Sequence, residues 1–364
     1  MGELKILVFN WRCWLNPAMG GAEVFTHEVL KNWVKSGNEV TLFTSDFKDS
    51  MEEETVDGIR IVRRGGRLSV YGMAKKFYSD RFSKEGYDVV IDEINTRPFM
   101  APKFVKHGES VVALIHQLAR EYWFYETPFP ASYFGRYFLE EWWLKNYRDV
   151  TTVTVSKSTK EDLASLGFRK IFVVGEGLNF EPLAKLGEKT TNPVVVYAGR
   201  LKSAKRPDHA VRAFGIVKEK VPDAELWIMG RGNLENKLRK MAGEGVRFLG
   251  LTSNEERREL IKKAWVLVNP SVREGFGLNV IEANALGTPS VSYDVPGLRD
   301  SIRHYETGIL VKSGGIDALA EAITLVLTNH DIKKRLSENA LVYSKSFSWD
   351  KVAGEFMNVI ETAQ

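Results

Sequence analysis

Short apolar runs alternate with helical patterns along the whole chain, and they do so in two consecutive series. The first series of predicted strands comprises Lys5 to Phe9, Val40 to Thr44, Ile59 to Val62, Val89 to Ile91, Val111 to Ile115, Thr152 to Val155 and Ile171 to Val174. The second comprises Val194 to Ala198, Leu226 to Met229, Val246 to Leu249, Val266 to Val268, Ser290 to Ser292 and Ile309 to Val311. Each series predicts one doubly wound α/β domain.

The 364 residues therefore divide into two predicted domains and two shorter parts. We predict a first domain over residues 1–175, a linker over 176–192, a second domain over 193–346 and a final helix over 347–364. The linker contains Gly, Pro and Asn without clear periodicity, which is typical of a connection between domains.

Composition excludes several classes of protein. The net charge of +4 is too small to indicate nucleic-acid binding, and the single cysteine, Cys13, excludes an intrachain disulfide or a multi-cysteine metal site. We find neither a signal-peptide pattern at the first strand nor 18 consecutive apolar residues. A cytoplasmic protein is the expectation, with the inner face of the membrane as a second location.

Two glutamates bracket a glycine-rich turn between a buried strand and a helix. The predicted strand ends at Val268, Glu274 follows in the loop, and Glu282 lies inside the helix that starts near Leu278. The backbone N–H groups of Gly277, Leu278 and Asn279 fall at the helix N-terminus, which favours an anion such as a diphosphate. The carboxylates would then hold sugar and ribose hydroxyls. The alternative is a tight turn with two solvated glutamates.

Two cations follow another predicted strand. Arg200 and Lys205 come after Val194 to Ala198, at the edge where open α/β sheets place their ligands. A guanidinium and an ammonium group together would neutralise a diphosphate without a metal. A charged surface loop is the competing interpretation.

The first domain offers two further candidates at its own sheet edge. Gly20 and Gly21 precede a predicted helix and form a second candidate anion site, although ordinary turn geometry explains such a pair as well. His116 ends the predicted strand Val111 to Ile115, where a packed histidine is the competing interpretation.

Several motifs in a fixed order resemble family 4 of the retaining glycosyltransferases, which have the GT-B fold. They are Gly199-Arg200 with Lys205, Met229-Gly230-Arg231-Gly232, Glu274 to Glu282, Ala283-Asn284-Ala285-Leu286-Gly287-Thr288-Pro289 and Glu306-Thr307-Gly308-Ile309-Leu310-Val311. The match is best from about Val194 to Val311. The resemblance implies two Rossmann-like domains facing a cleft, with the acceptor held by the first and the sugar nucleotide by the second.

The resemblance also implies roles for individual residues. Arg200 and Lys205 would bind the diphosphate, Glu282 the ribose, Glu274 the transferred sugar, and His116 would lie near that sugar. The remaining substrate-binding residues implied are Gly20, Gly21, Gly230, Gly277, Leu278 and Asn279. In relatives, the last helix crosses back to the first domain.

The same resemblance implies a mechanism. Transfer would retain the anomeric configuration, with the acceptor hydroxyl attacking from the face that the diphosphate leaves, and no protein nucleophile is needed. No Asp-x-Asp metal motif occurs, so we expect neither a metal ion nor a cofactor besides the donor substrate.

Two segments depart from the family pattern. The family linker often begins with an Asn-Gly pair, followed by an apolar residue and Asp, whereas this chain has Glu176-Gly177-Leu178-Asn179. Gln117 follows His116 where the family often has aspartate. The role of Glu176 is therefore open, and His116 would act without an acidic neighbour in sequence.

Aromatic residues are concentrated in two segments of the first domain. Twelve aromatic side chains lie between Arg120 and Arg148, and the segment from Tyr71 to Lys84 carries aromatics at near-helical spacing with several cations. Such segments would line an acceptor groove or contact lipid headgroups. Packing of the aromatic stripe on the sheet is the alternative, so a peripheral membrane contact is a hypothesis.

The predicted function is transfer of a hexose or related sugar from a nucleoside-diphosphate sugar, UDP or GDP, to a lipid-linked, glycan or small-molecule acceptor. A nucleotide-sugar epimerase and a noncatalytic sugar-nucleotide-binding subunit are the alternatives. The sequence names neither the base, the sugar, the acceptor nor the oligomeric state.

Overall fold

The computed structural model describes residues 3–363, which form two compact units. Unit 1 consists of residues 3–123, 129–177 and 348–363, and unit 2 of residues 124–128 and 178–347. No helix or strand lies between Val173 and Val194, where the chain passes from one unit to the other.

Unit 1 contains an eight-stranded sheet, here called sheet 1. Its strands are β1 Lys5–Phe9, β2 Glu39–Thr44, β3 Glu53–Val56, β4 Ile59–Arg63, β5 Val89–Glu93, β6 Ser110–Leu114, β7 Thr151–Thr154 and β8 Ile171–Val173. The spatial order is β3-β4-β2-β1-β5-β6-β7-β8. All neighbours run parallel except β3 and β4, which form an antiparallel hairpin.

Unit 2 contains a six-stranded parallel sheet, here called sheet 2. Its strands are β9 Val194–Ala198, β10 Glu225–Met229, β11 Val246–Gly250, β12 Val266–Asn269, β13 Ser290–Tyr293 and β14 Gly308–Val311. Their order is β11-β10-β9-β12-β13-β14. Every residue of β9, β12 and β13 is buried, as expected for strands covered by helices on both faces.

Helices connect the strands. They are α1 Gly21–Lys35, α2 Val70–Phe77, α3 Ser83–Glu85, α4 Tyr122–Glu126, α5 Ala131–Phe134, α6 Glu140–Leu144, α7 Lys157–Ser165, α8 Pro207–Lys220, α9 Glu235–Met241, α10 Asn254–Lys263, α11 Leu278–Ala285, α12 Leu298–Ser301, α13 Ile316–Thr328, α14 His330–Ser344 and α15 Trp349–Ala363. Tyr78–Phe82 and Gly135–Leu139 are π-helical, and Ala101–Lys103, Lys145–Tyr147 and Ser203–Lys205 are 3₁₀-helical.

The two-sheet α/β fold confirms the predicted fold class. Each predicted strand corresponds to an observed strand, with ends that differ by at most two residues. Sequence reasoning missed β3, because its sequence Glu53-Glu54-Thr55-Val56 is charged and half exposed at the sheet edge. Sequence patterns of this kind do not distinguish an edge strand from a loop.

Each sheet has one point at which the strand order reverses. In sheet 1 this point lies between β1 and β5, and in sheet 2 it lies between β9 and β12. Connections leave such neighbouring strands in opposite directions, so a crevice opens beyond their carboxyl ends. The candidate residues of each unit follow strands at this edge.

The final helix belongs to unit 1. The Trp33 indole in α1 donates a hydrogen bond to the Ala353 carbonyl of α15 at 2.9 Å. Phe356 packs edge to face against Trp33, with ring centroids 5.1 Å apart. A buried aromatic contact thus attaches the C-terminal helix to the first helix of the chain.

The two aromatic segments differ in burial. In the segment from Tyr71 to Lys84, Tyr78 and Phe82 are at most 2% exposed and Phe77 packs against Phe43. The stripe covers sheet 1, so an interfacial role for its aromatic face is wrong. The aromatic residues of the second segment behave differently: Phe129, Tyr133, Phe134, Tyr137, Phe138 and Trp142 are between 46% and 82% exposed.

Candidate active site

The start of α11 forms the centre of the candidate site in unit 2. Gly277 caps the helix with a φ of +96°, a left-handed conformation that glycine adopts at little cost. A Cβ at this position would lie 3.0 Å from Leu298 and 3.1 Å from Ser301. The first N–H groups of a helix lack intrahelical acceptors, so those at Leu278 and Asn279 are suited to an anion. The boundary at Leu278 confirms the predicted helix start.

Two asparagines fix this helix end to the sheet. The Asn279 side chain donates to the Ala198 carbonyl at the end of β9, at 3.0 Å, and accepts from Asn269 at the end of β12, at 3.1 Å. Asn269 also accepts from the backbone N–H of Ser271 at 3.1 Å. These bonds join β9, β12 and α11 at the point where the strand order of sheet 2 reverses.

Lys205 and Glu274 form an ion pair at this edge. The Lys205 Nζ lies 2.6 Å from each carboxylate oxygen of Glu274, and both side chains are about one sixth exposed, at 17% and 16%. The Ser271 hydroxyl donates to Glu274 Oε1 at 2.7 Å. Two sequence-predicted residues, 69 positions apart, are therefore in direct contact.

Arg200 lies two residues beyond the end of β9 and is exposed. Its carbonyl accepts a hydrogen bond from the Tyr197 hydroxyl at 3.1 Å, which orders the turn. Within residues 3–363, no ion pair involves its guanidinium group. The positive charge of Arg200 is therefore available to a ligand.

Glu282 lies one turn further along α11, as the sequence predicts. Its Oε2 is 2.7 Å from Nη1 of Arg257 in α10, although the angles are not those of a hydrogen bond. The Glu282 side chain is 24% exposed. The pair holds one carboxylate oxygen towards Arg257 and leaves the other for a ligand hydroxyl.

The backbone conformation and close packing at position 230 require glycine. It follows β10 with a φ of +129°, and a Cβ there would lie 2.0 Å from the Gly199 carbonyl oxygen. A Cβ at Gly232 would likewise lie 2.3 Å from the Leu201 carbonyl oxygen. These glycines allow the loop after β10 to pack directly on the loop that carries Arg200.

The predicted glycine pair of unit 1 lies at the start of α1. Gly20 is the cap and Gly21 the first helical residue, as expected. The Gly20 N–H donates to Glu23 at 2.6 Å, and Arg12 binds the same carboxylate at 2.8 Å. One donor of the predicted anion site thus already has an acceptor within the chain.

His116 lies at the same edge of sheet 1 and is 6% exposed. Its Nε2 is 3.3 Å from Glu93 Oε1, at the end of β5. Burial lowers the pKa of His116, but the contact with the Glu93 carboxylate outweighs that effect and raises the pKa above its ordinary value. Acidic neighbours thus come from distant parts of the sequence, and not from position 117.

Glu176 is the second buried carboxyl group near His116, and it is 6% exposed. Burial raises the pKa of Glu176 to about 8, although the nearby His116 acts in the opposite direction. At neutral pH its carboxyl group is therefore protonated and can donate a hydrogen bond.

The structure assembles the predicted residues into two groups, one per unit. Arg200, Lys205, Gly230, Glu274, Gly277, Leu278, Asn279 and Glu282 lie in unit 2, and Gly20, Gly21 and His116 lie in unit 1. Over the described part of the chain, no three His, Cys, Asp or Glu side chains are grouped as a metal-ion site would require. Likewise, none of its helices is long and apolar enough to cross a bilayer.

Sequence reasoning missed the side chains that hold the candidates in place. In unit 2 these are Ser271, Asn269 and Arg257, and in unit 1 they are Arg12, Glu23 and Glu93. The ends of neighbouring parallel strands meet at one edge, which is the signal that marks Asn269 and Glu93. No spacing rule connects Arg257 in α10 with Glu282 in α11.

Two family models together match most of the chain. The model described as Glycosyltransferase Family 4 matches residues 19–181, and the model described as Glycosyl transferases group 1 matches residues 180–342. They divide the chain near residue 180, close to the boundary between the two units.

Solved structures with the same architecture include proteins named as glycosyltransferases. Sucrose-phosphate synthase from Thermosynechococcus elongatus has a TM-score of 0.82 at 20% identity, covering 99% of both chains. WaaG, a glycosyltransferase of lipopolysaccharide biosynthesis, has a TM-score of 0.76 at 14% identity over 98% of this chain and 99% of its own. Anabaena HepE in complex with UDP and glucose has a TM-score of 0.74 at 15% identity, covering 99% and 100%. The fold is thus that of the GT-B glycosyltransferases.

Sequence relatives include one that matches over the whole length. An uncharacterized glycosyltransferase of Methanocaldococcus jannaschii is 27% identical over 99% of this chain and 98% of its own. A phosphatidyl-myo-inositol mannosyltransferase of Mycobacterium leprae is 35% identical over 40% of each chain. A D-inositol 3-phosphate glycosyltransferase of Corynebacterium glutamicum is 29% identical over 49% of this chain and 46% of its own. The chain belongs to the group 1 glycosyltransferases with the GT-B fold.

Proposed function

We propose that this glycosyltransferase moves a hexose or related sugar from a UDP or GDP sugar to an acceptor hydroxyl, with retention of the anomeric configuration. The observation that carries the proposal is the edge of sheet 2, where Arg200, the Lys205–Glu274 pair and the start of α11 surround the reversal point. That HepE is named in complex with UDP and glucose supports a sugar-nucleotide donor.

In the proposed mechanism, the protein stabilises the departing diphosphate. Negative charge grows on the diphosphate as the glycosidic bond breaks, and fixed donors at that place lower the barrier. Arg200 and Lys205 supply two positive charges, and the N-terminus of α11 supplies backbone N–H groups. These groups are held by the sheet, so little reorganisation is needed during the reaction.

The ion pair between Lys205 and Glu274 supports this arrangement of the donor. Its two members lie 2.6 Å apart, so a ligand that contacts Lys205 with a phosphate oxygen places its sugar beside Glu274. The carboxylate can accept hydrogen bonds from two vicinal hydroxyls. Ser271 fixes one carboxylate oxygen and so positions the sugar-binding group.

Glu282 is the proposed ribose-binding residue. It lies in α11 beyond the N-terminal turn, so a nucleotide with its diphosphate at that turn presents its ribose further along the helix. The contact with Arg257 at 2.7 Å restrains one carboxylate oxygen and allows the other to accept from a ribose hydroxyl.

We propose that no metal ion is required, because two cations and a helix N-terminus supply the charge that a metal ion would otherwise give the leaving group. The test is the transfer rate with and without EDTA. Unchanged turnover in EDTA is the expected result, and loss of turnover that Mn²⁺ or Mg²⁺ restores would contradict it.

Retention is proposed on the same geometry, since we assign no carboxylate as a nucleophile and the leaving diphosphate can itself receive the acceptor proton. The anomeric configuration of the product, read from its proton coupling constant by NMR, tests this step. An α-linked product from an α-linked donor is expected, and an inverted product would contradict the mechanism.

For the acceptor we propose a lipid-linked or other hydroxyl-bearing molecule, with unit 1 in contact with a membrane surface. The helical stretch over residues 131–147 exposes Tyr133, Phe134, Tyr137, Phe138 and Trp142 on one side while Ser132, Glu140 and Leu144 are buried. An aromatic face of this kind, next to Lys145 and Arg148, is suited to anionic headgroups. A mannosyltransferase named for phosphatidyl-myo-inositol among the relatives supports a lipid acceptor.

Sedimentation with vesicles tests the membrane contact. We expect wild-type protein to sediment with phosphatidylglycerol vesicles at low salt, and the double variant Phe134→Ser, Phe138→Ser to stay in solution. The control Leu68→Ser removes an exposed apolar residue outside the helix, one that is 77% exposed, and should bind like wild type. Equal sedimentation of all three proteins would contradict the contact.

Thermal unfolding with ligands tests the donor proposal. A ligand that binds only the folded state raises its stability, so one series among UDP, GDP, ADP and their sugars should raise the Tm. Glu282→Ala should reduce that increase. A Tm that responds to no nucleotide would contradict the proposal. Consumption of the donor without transfer to any acceptor would favour an epimerase, and nucleotide binding without donor consumption or transfer would favour a noncatalytic subunit.

A further inference from the structure

A connected group of polar side chains lies beyond the reversal point of sheet 1, all within unit 1. Asn10 follows β1, Glu93 ends β5, His116 follows β6 and Glu176 follows β8. Asn95 links the first two, because its amide is 3.3 Å from Asn10 Oδ1 and 3.4 Å from Glu93 Oε1. Four strand ends therefore contribute to one group, at the edge where α/β sheets bind ligands.

Two of these side chains are more than nine-tenths buried and contain atoms without a hydrogen-bond partner among residues 3–363. The atoms are Asn10 Nδ2 and Glu176 Oε2, and their residues are 0% and 6% exposed. A buried polar atom without a partner costs about 1–3 kcal/mol. Two such atoms at one strand edge indicate groups that bind a ligand.

The charges around the group determine the chemistry of that ligand. Glu23 is paired with Arg12 at 2.8 Å, and Glu93 with His116 at 3.3 Å. Glu176 has no ion-pair partner among the described residues, so burial keeps its carboxyl group neutral. Buried carboxyl groups disfavour a phosphate, since no cation of this group is left unpaired to neutralise it.

The hydrogen-bonding capacity of the group matches hydroxyls. Asn10 Nδ2 can donate, Glu93 Oε1 can accept, and a protonated Glu176 can do both. Each sugar hydroxyl also donates one hydrogen bond and accepts others, so adjacent hydroxyls can satisfy neighbouring donors and acceptors. Thr26 holds the second oxygen of Glu93 at 2.6 Å and fixes the direction of the first.

We propose that Asn10, Glu93 and Glu176 form a recognition site for the vicinal hydroxyls of an uncharged sugar or polyol acceptor, beside His116. This inference rests on the proposed function, because it assigns the acceptor of that reaction to unit 1.

Binding of simple sugars in the presence of a saturating nucleoside diphosphate tests the site. The probes are methyl α-D-glucopyranoside, methyl α-D-mannopyranoside and myo-inositol, followed by saturation-transfer NMR and titration calorimetry. We expect at least one to bind wild type, and to bind at least fivefold more weakly to Glu93→Gln and Glu176→Ala. Monomeric octyl glucoside, compared with the methyl glycoside, distinguishes a lipid-linked acceptor from a free one by its tighter binding.

Two variants locate the binding. Glu274→Gln removes a carboxylate from unit 2 and should leave the sugar probe bound, because that residue contacts the donor sugar in the proposed reaction. If Glu274→Gln loses the probe while Glu176→Ala keeps it, the probe binds in unit 2 and the inference is wrong. Circular dichroism and the nucleotide-dependent Tm show that each variant is folded.

The pH dependence gives a readout that a purely structural role would not produce. Glu176 and His116 interact electrostatically, and Glu93 and Glu23 also act on His116, so these are the charged groups around Glu176. As pH rises through about 8, Glu176 loses its proton and its donor, and probe affinity should fall about tenfold by pH 9. Glu176→Gln keeps a donor without titrating, so its affinity should remain constant.

The outcomes separate this inference from the proposed function. If nucleotides bind and no sugar or polyol does, or if Glu176→Gln shows the same decline with pH as wild type, the hydroxyl site is wrong and the donor site stands. If no nucleotide binds, the proposed function fails, and the acceptor role fails with it.

Discussion

The strand edges of the two sheets have the same topology but opposite arrangements of charge. In unit 2, Glu274 and Glu282 are each paired with a cation, and Arg200 remains exposed without an ion-pair partner among the described residues. In unit 1, Arg12 is paired with Glu23, and the buried Glu176 has no ion-pair partner among the described residues. One fold thus presents surplus positive charge at one edge and surplus carboxyl groups at the other.

The two edges also differ in burial. The Lys205–Glu274 pair retains about one sixth of its side-chain exposure, whereas Glu93 is fully buried. Partly exposed ion pairs can exchange partners with a charged ligand at modest cost, while buried ones cannot. The difference indicates that the edge of sheet 2 is suited to an anion and the edge of sheet 1 to a neutral hydroxylated molecule.

Removing the unpaired cation should have the largest effect. We expect Arg200→Ala to reduce kcat/KM for sugar transfer by about 100- to 1,000-fold, because one donor to the leaving diphosphate is lost. Stability should change little, since the side chain is exposed. Arg212→Ala, which removes an exposed arginine from α8, is the control, and equal activity of the two variants would contradict the assignment.

Gly230→Ala should distort the backbone at the edge of sheet 2. The new Cβ would lie 2.0 Å from the Gly199 carbonyl at a φ of +129°, so the loop beneath Arg200 has to move. We expect unfolding free energy to fall by about 3 kcal/mol, as for other strained or overpacked sites. Denaturant unfolding of wild type and variant measures this difference in the free energy of unfolding.

Gly215→Ala provides a matched control for that variant. Gly215 lies within α8, and a Cβ there meets no atom within 4 Å. Alanine favours helix by up to about 1 kcal/mol, so this variant should be as stable as wild type or more so. Loss of stability in both variants would show that the close approach at Gly230 is not the cause.

Glu176→Gln should stabilise the protein in a pH-dependent way. The folded-state pKa of Glu176 is raised to about 8, above its value in the unfolded chain, so wild type loses stability as pH rises from about 4.5 to about 8. Glutamine does not titrate, and its advantage should grow over that range by up to about 1.4 kcal/mol per pH unit. Thermal unfolding from pH 5 to pH 8.5 tests this, and a constant difference would contradict it.

Glu282→Gln should have the smallest effect of the four. It keeps the shape of the side chain and weakens both the contact with Arg257 and the proposed ribose hydrogen bond. We expect nucleotide affinity to fall about tenfold, equivalent to about 1.4 kcal/mol, with kcat nearly unchanged. A fall in kcat without a change in affinity would place Glu282 elsewhere in the mechanism.

Local sequence patterns were sufficient for much of the fold. The apolar runs Lys5–Phe9 and Val194–Ala198 match β1 and β9 from end to end, because buried parallel strands need continuous apolar sequence. The helix start at Leu278 was also predictable, since Gly277 and the preceding loop mark it. The edge strand Glu53–Val56 was not, because its charged residues give no periodic signal.

The side-chain environment of the candidate site was less predictable. Strand order brings Glu93 to His116 and an interhelical contact brings Arg257 to Glu282, so neither pair follows from local spacing. The aromatic segments show the same limit: Tyr78 and Phe82 pack in the core, whereas Phe134 and Phe138 lie on the surface. The two segments have similar composition, and the position of each helix on the sheet decides whether its aromatic side chains are buried or exposed.

The most direct test of a diphosphate site in unit 2 is calorimetric titration of UDP, GDP and ADP into wild type, Lys205→Met and Lys202→Met, with EDTA present. Lys202 lies three residues before Lys205 and is 43% exposed, which makes it a matched lysine control. We predict that one nucleoside diphosphate binds wild type and Lys202→Met equally, and Lys205→Met about 100-fold more weakly. Binding of none of them, or equal binding to Lys205→Met, would contradict a diphosphate site at the edge of sheet 2.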